Sequence, residues 1–178
     1  MALKPTIYKQ RISVSDLERE YYDTLNLTLA LHPSETEQRL MARVMAFVLN
    51  AQDRLSFTKG LSSVEEPDIW LREMDDQISL WIEVGEPDFD RVKKATHKSD
   101  LVKVYSFNTK SDVWWQQNET KLASLKAQFF RFDALNIDAM SRLLERTMDY
   151  SITITGESAY IATQAGECEV TWTALSDN

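Results

Sequence analysis

Polar and apolar residues alternate from Thr6 to Ser15, with Ile7, Lys9 and Arg11 on one side and Tyr8, Gln10 and Ile12 on the other. A period of two marks a strand. Tyr22 to Leu31 alternates as well: Leu25, Leu27, Leu29 and Leu31 share one face, Asn26 and Thr28 the other. The two segments predict an N-terminal hairpin. His32-Pro33 stops the second strand, and Ser34 with Glu37 matches the S-x-x-E pattern that satisfies free amides at a helix start. The period then changes to that of a helix, with Leu40, Met41, Val44, Phe47 and Val48 recurring to about Gln52. Leu55 to Lys59 reads as a short strand and Pro67 to Val84 as a hairpin. Pro87 opens a helix to about Lys98, with Asp88 and Asp90 in its first turn, where the helix dipole favours acids. Leu101 to Phe107 predicts a strand, Ser111 to Lys126 a helix, Phe129 to Phe132 a strand and Asp138 to Met148 a helix. Tyr150 to Ala174, rich in Thr, Ile and Val and broken at Gly156 and Gly166, predicts two or three closing strands. This order points to an α+β fold: a mixed β-sheet with flanking helices in a single domain, 1–178.

The hairpin at 67–84 is where chemistry enters. With Asp75-Asp76 as the turn, Met74 pairs with Gln77, Leu71 with Leu80, Trp70 with Trp81 and Asp68 with Glu83. Side chains alternate along each strand, so Ile69, Leu71, Leu80, Ile82 and Val84 form one aliphatic face. Asp68, Trp70, Trp81 and Glu83 form the other. Two carboxylates directly opposite repel one another, and a charge between Ile82 and Val84 is costly to bury. A divalent cation removes both penalties, because Mg²⁺ is held by one or two carboxylates with waters and phosphate oxygens. Arg72 or a lysine as partner, or a solvated hairpin end, are the alternatives.

Composition narrows the field. The 178 residues are 43% hydrophobic and 27% charged, which is globular rather than disordered. No apolar run approaches a membrane span, and no apolar stretch follows the first charges as in a signal peptide. One cysteine, Cys168, and two histidines, His32 and His97, leave no internal disulfide and no structural zinc site. A cytoplasmic protein is expected. The net charge of −8 weighs against non-specific nucleic-acid binding. Against that background Arg91, Lys93, Lys94, His97, Lys98 and Lys103 concentrate positive charge opposite the single acid Asp100. Such a cluster is either a solvated helix face or a phosphate-facing patch. Trp114-Trp115 can stack on bases, though adjacent helical positions diverge and at least one belongs in a core. Cys168 has no neighbouring histidine to make it a nucleophile, and His32 serves a turn.

The segments HPSETEQRLMARVMAF from His32, LSFTKGL from Leu55, EEPDIWL from Glu66, LWIEVGEPDFDRVKKA from Leu80 and WWQQN from Trp114 resemble the YaeQ family of small bacterial proteins. The resemblance covers essentially the whole chain. It implies a variant of the PD-(D/E)xK, restriction-endonuclease-like fold, with a nuclease-like core at about 33–132. It carries no established reaction, and the family has been associated with transcription elongation. Pro67-Asp68 resembles the first element of that motif and Glu83-Val84-Gly85 the second, with Gly85 where the lysine belongs. Under this reading Asp68 and Glu83 bind Mg²⁺ or Mn²⁺, and Glu35, from the first helical turn, joins them. Lys93, which borders the apolar face of Phe89 and Val92, replaces the lysine; Lys94 is second and Lys103 third. Two functions follow as expectations. One is a metal-dependent phosphodiesterase acting on nucleic acid. The other is a catalytically degenerate nuclease-fold binding or regulatory protein associated with transcription.

Overall fold

Ten strands and four helices are formed by the described residues, 4–58 and 65–176, of the computed structural model. They divide into two compact units. One comprises Met1–Met41 with Asp133–Trp172, the other Ala42–Phe132 with Thr173–Asn178.

In the first unit, β1 (Thr6–Asp16) and β2 (Tyr21–Leu31) form the expected hairpin. Their antiparallel register runs from Thr6↔Leu31 to Asp16↔Tyr21 without a break. The alternation decides the faces: Tyr8, Gln10, Ile12, Val14, Leu27 and Leu29 are buried, while Lys9, Arg11, Ser13 and Thr28 face outward. The tail gives three strands, β8 (Thr147–Thr155), β9 (Ser158–Ala162) and β10 (Glu167–Ala174). β8 runs parallel to β1, β9 pairs with it antiparallel, and β10 pairs with β9. The β8–β9 turn needs Gly156 at φ +58°, a left-handed conformation that costs glycine little. One polar pair lies inside: the Tyr150 hydroxyl donates to Gln10 Oε1 at 2.6 Å.

Two expectations need correction here. The helix placed at 138–148 is α4, Ala134–Ser141. Asp133 caps it by accepting the Asn136 N–H at 2.9 Å, so it starts earlier, and Met148 belongs to β8. The first helix, α1 (Glu37–Leu49), starts after Thr36 rather than Ser34. Thr36 Oγ1 accepts the Arg39 N–H at 3.1 Å, whereas Ser34 turns to His32 Nδ1 at 2.8 Å. The capping chemistry is of the expected kind, moved two residues along.

The second unit holds residues 42–49 of α1, and a mixed sheet in the order β7-β6-β5-β4-β3. Its strands are β3 (Leu55–Phe57), β4 (Ile69–Arg72), β5 (Ile78–Val84), β6 (Ser99–Ser106) and β7 (Ala127–Phe132). β5, β6 and β7 are parallel neighbours, and β4 and β3 add antiparallel. Parallel neighbours require crossovers, supplied by α2 (Phe89–Lys98) and α3 (Ser111–Leu122). Both helices pack on the face carrying Trp81, Val102, Val104 and Phe129, through Val92, Ala95, Trp115 and Leu122. On the opposite face, Phe47 of α1 stacks on Phe57 at 4.7 Å between centroids. Asn50, just beyond α1, bonds the Tyr105 hydroxyl at 2.9 Å. β5 is therefore covered on both sides, and its side chains from Leu80 to Val84 are all buried. The result is a mixed α+β protein of mixed sheets and flanking helices. No helix among the described residues is long and apolar enough to cross a membrane. The end of the strand expected at 55–59 lies outside the described residues.

Candidate functional site

The β4–β5 hairpin has the expected strand register: Ile69 faces Ile82, Trp70 faces Trp81 and Leu71 faces Leu80. Its turn differs. Glu73, not Met74, bonds Gln77, and Asp76 takes φ +66°. The extra residue in the loop is absorbed by a register shift between Leu71 and Arg72. Because the shift lies at the turn end, it leaves the faces near Asp68 and Glu83 unchanged.

Asp68 and Glu83 are both buried, at 4% and 6% exposure. Asp68 sits just before β4, where its N–H donates to the Ile82 carbonyl at 3.1 Å and its Oδ2 accepts the Val84 N–H at 2.8 Å. Glu83 Oε1 accepts two bonds, from Trp81 Nε1 at 2.9 Å and from Arg91 Nε at 3.0 Å. Burial pushes the Glu83 carboxyl above the ordinary glutamate value, and the charge of Asp68 pushes it further the same way. Arg91 and the Trp81 bond pull downward without cancelling this. The two acids thus stand near enough to repel, as their places in the sequence predict.

The cation beside Glu83 is Arg91, which sequence reasoning missed. Asp88 fixes the start of α2 by accepting the Arg91 N–H at 2.9 Å. Val92 and Ala95 then form its buried stripe, and Arg91 and Lys93 flank Val92 on opposite sides, about 100° away each. Arg91 falls on the Glu83 side and also reaches the Glu66 carbonyl with Nη2 at 3.0 Å. Lys93 falls on the other side; it is exposed, with Nζ 5.9 Å from the centre of the Phe89 ring. The expected Lys93–Glu83 contact is replaced by an Arg91–Glu83 ion pair. Position relative to the buried Val92–Ala95 pair, more than to Phe89, would have singled Arg91 out.

The other sequence candidates, Lys94, Lys103 and Glu35, are carried by different elements. Lys94 is exposed and lines a groove of about 450 Å³ with Trp81, Asp88, Asp90, Arg91 and Lys98. Lys103 pairs in register with Ile82, so it projects from the face opposite Glu83, where Nζ donates to Asn50 Oδ1 at 2.8 Å. Glu35 precedes α1 in the first unit, and its buried carboxylate binds Arg39 Nη1 at 2.7 Å. The basic cluster is correspondingly divided: Lys98 pairs with Glu65 at 3.2 Å, and only part of the run faces one groove. Trp114 and Trp115 pack against Phe129 with tilted rings, and Trp114 Nε1 bonds the Pro87 carbonyl at 2.9 Å, so both indoles are structural. Cys168 is half-buried, and burial raises its thiol, against a nucleophilic role.

Gly85 has φ +130°, a conformation that side-chain-bearing residues rarely adopt, although a Cβ there would meet nothing within 4 Å. Backbone conformation rather than space therefore keeps a side chain from this position. Among the described residues no group of three or more His, Cys, Asp or Glu side chains is arranged to hold a metal ion. Asp68 and Glu83 bring two buried carboxylates to neighbouring strands, and hard oxygen donors of this kind are what Mg²⁺ or Mn²⁺ takes together with waters. Their repulsion is eased by a cation beside them, the place that Arg91 takes at Glu83.

The YaeQ protein family profile matches residues 1–172. The chain belongs to the YaeQ family. It is 39% identical over 176 residues to the uncharacterized protein YaeQ of Salmonella typhi, covering 98% of this chain and 97% of that one, and equally to that of Escherichia coli K12. The crystal structure of the YaeQ protein from Xanthomonas axonopodis pv. citri superposes with a TM-score of 0.94 at 32% identity, over 98% of this chain and 99% of that one. That from Pseudomonas syringae gives 0.92 at 27% identity, over 98% and 97%.

Proposed function

We propose that this YaeQ protein is a metal-dependent phosphodiesterase acting on nucleic acid, built on a variant PD-(D/E)xK hairpin. The observation that carries the reading is the pair of buried acids, Asp68 and Glu83, held on neighbouring strands by main-chain and indole donors. Asp68 and Glu83 would hold Mg²⁺ or Mn²⁺, which supplies an activated water and neutralises phosphate charge when bound. The chain's own contribution is positional. The Val84 N–H orients Asp68, Trp81 orients Glu83, and Arg91 stands beside Glu83 at the groove, placed to stabilise negative charge. Lys94, on the same groove, is a second cation for the phosphate backbone.

A second reading, a catalytically degenerate binding or regulatory protein, is favoured by Gly85 and by the Arg91–Glu83 pair, which already satisfies one acid without a metal. Cleavage separates the two. Labelled single- and double-stranded DNA and RNA are incubated with Mg²⁺ or Mn²⁺ and the wild type, Asp68→Asn or Glu83→Gln protein. The phosphodiesterase reading expects metal-dependent cleavage that falls at least about 100-fold in either variant. Metal and nucleic-acid binding without cleavage by the wild type would leave the binding-module reading standing.

A further inference from the structure

We infer that Arg91 is a built-in competitor of the metal: its guanidinium holds Glu83 in the free protein and leaves that carboxylate when Mg²⁺ or Mn²⁺ enters. The inference rests on the reading of Asp68 and Glu83 as a cation site. Arg91 Nε donates to Glu83 Oε1 at 3.0 Å, and Trp81 Nε1 donates to the same oxygen at 2.9 Å. One carboxylate oxygen offers about two lone-pair sites, so these two donors fill Oε1. A metal drawing on that oxygen needs one of them gone. A metal on the other oxygen of the same carboxylate stands close to the guanidinium. The Glu83 side chain is only 7% exposed, so water does little there to screen one cation from the other. A dication and a guanidinium on one buried carboxylate therefore repel, and each weakens the hold of the other.

Of the two donors on Oε1, Arg91 is the one able to leave. Trp81 is buried in the cluster of side chains that α2 covers, so its indole bond stays. The Arg91 main chain is fixed in the first turn of α2, where its N–H donates to Asp88 Oδ1 at 2.9 Å. Only the side chain has to move. It is 34% exposed and already lines the groove of about 450 Å³, so it swings without disturbing the core. In doing so Nη2 gives up the Glu66 carbonyl, held at 3.0 Å. Asp88 and Asp90 line the same groove and offer carboxylates to a guanidinium that has left Glu83. Lys94, one turn further along α2, lines it too, so a phosphate there meets two cations. Linkage makes the device reciprocal: a phosphate that draws Arg91 into the groove tightens the metal by the factor by which the metal tightens the phosphate.

The test is a Mn²⁺ titration of the full chain, reading free Mn²⁺ by electron paramagnetic resonance, with circular dichroism as a check on folding. Arg91→Met binds Mn²⁺ at least about tenfold more tightly than the wild type. Lys94→Met removes the same charge from the exposed side of the groove and tightens binding less than about threefold, because solvent and salt screen it. A second measurement needs no truncated variant. The Arg91 Nε–H signal of the ¹⁵N-labelled wild type, assigned with Arg91→Lys, moves and exchanges faster with water when Mg²⁺ saturates the protein. Equal or weaker Mn²⁺ binding by Arg91→Met, a Lys94→Met effect as large as that of Arg91→Met, or an Arg91 signal that Mg²⁺ leaves in place overturns the inference. Where any of these occurs while the wild type binds Mn²⁺ and Asp68→Asn does not, the metal site stands and the competitor alone falls. Where neither the wild type nor Arg91→Met binds Mn²⁺, both fall.

Discussion

Arg91 and Lys93 differ by two positions in one helix, yet only Arg91 reaches Glu83. Truncating each separates the roles. Arg91→Met leaves a buried carboxylate with one fewer charged donor, and is expected to cost about 1–2 kcal/mol, the lower part of the range for charged hydrogen bonds because the guanidinium is partly exposed. Lys93→Met is expected to stay within about 0.5 kcal/mol of the wild type. Urea denaturation of both variants checks the contrast; equal effects would contradict the assignment. Glu83 also makes a pH prediction. Its carboxyl lies above the ordinary glutamate value in the folded chain, so the folded state retains a proton that the unfolded state has lost. The stability this gives is complete below the unfolded value and is lost as pH rises through the folded one. Glu83→Gln lacks that loss, so its melting temperature should gain on the wild type as pH rises across the window; a constant difference would contradict the shift. The acid pair was legible in the sequence because strand register places Asp68 against Glu83. Its cation was harder to read: Phe89 draws attention to Lys93, and only the Val92–Ala95 stripe, which marks the side of α2 that faces the sheet, singles out Arg91.

Elements with a clear period were legible, and their ends were not. β1, β2 and the β4–β5 hairpin follow from alternation. The start of α1 was misplaced because Ser34 and Thr36 offer the same capping chemistry, and only the turn held by His32 decides between them. Thr36→Ala should therefore destabilise by about 1 kcal/mol. Ser34→Ala loses only an exposed contact to His32 and should cost less. Thermal denaturation ranks the two, and the reverse order would return the cap to Ser34. α4 was misplaced for the same reason: Asp133 and Asp138 both suit a cap, and Asp138 instead bonds Gln38 and Arg142.

At the scale of the whole molecule, the pairing of distant segments could not be read from local pattern. The parallel match of β1 with β8 joins residues nearly 140 positions apart, and no local signal encodes it. Charge is legible at this scale but ambiguous in meaning. A chain of net charge −8 meets a polyanion only through local cations, so nucleic-acid binding through Arg91, Lys94 and Lys98 should weaken steeply with salt. Binding that does not change with salt would place recognition elsewhere.

The central claim is that Asp68 and Glu83 form a divalent-cation site, and Mn²⁺-dependent melting tests it most directly. A ligand specific to the native state, at a hundred times its Kd, stabilises by about 2.7 kcal/mol, several degrees for a chain of this size. The account predicts that Mn²⁺ raises the melting temperature of the wild type by that amount and leaves folded Asp68→Asn and Glu83→Gln unmoved. A wild type unaffected by Mn²⁺, or variants stabilised as much as the wild type, would contradict it.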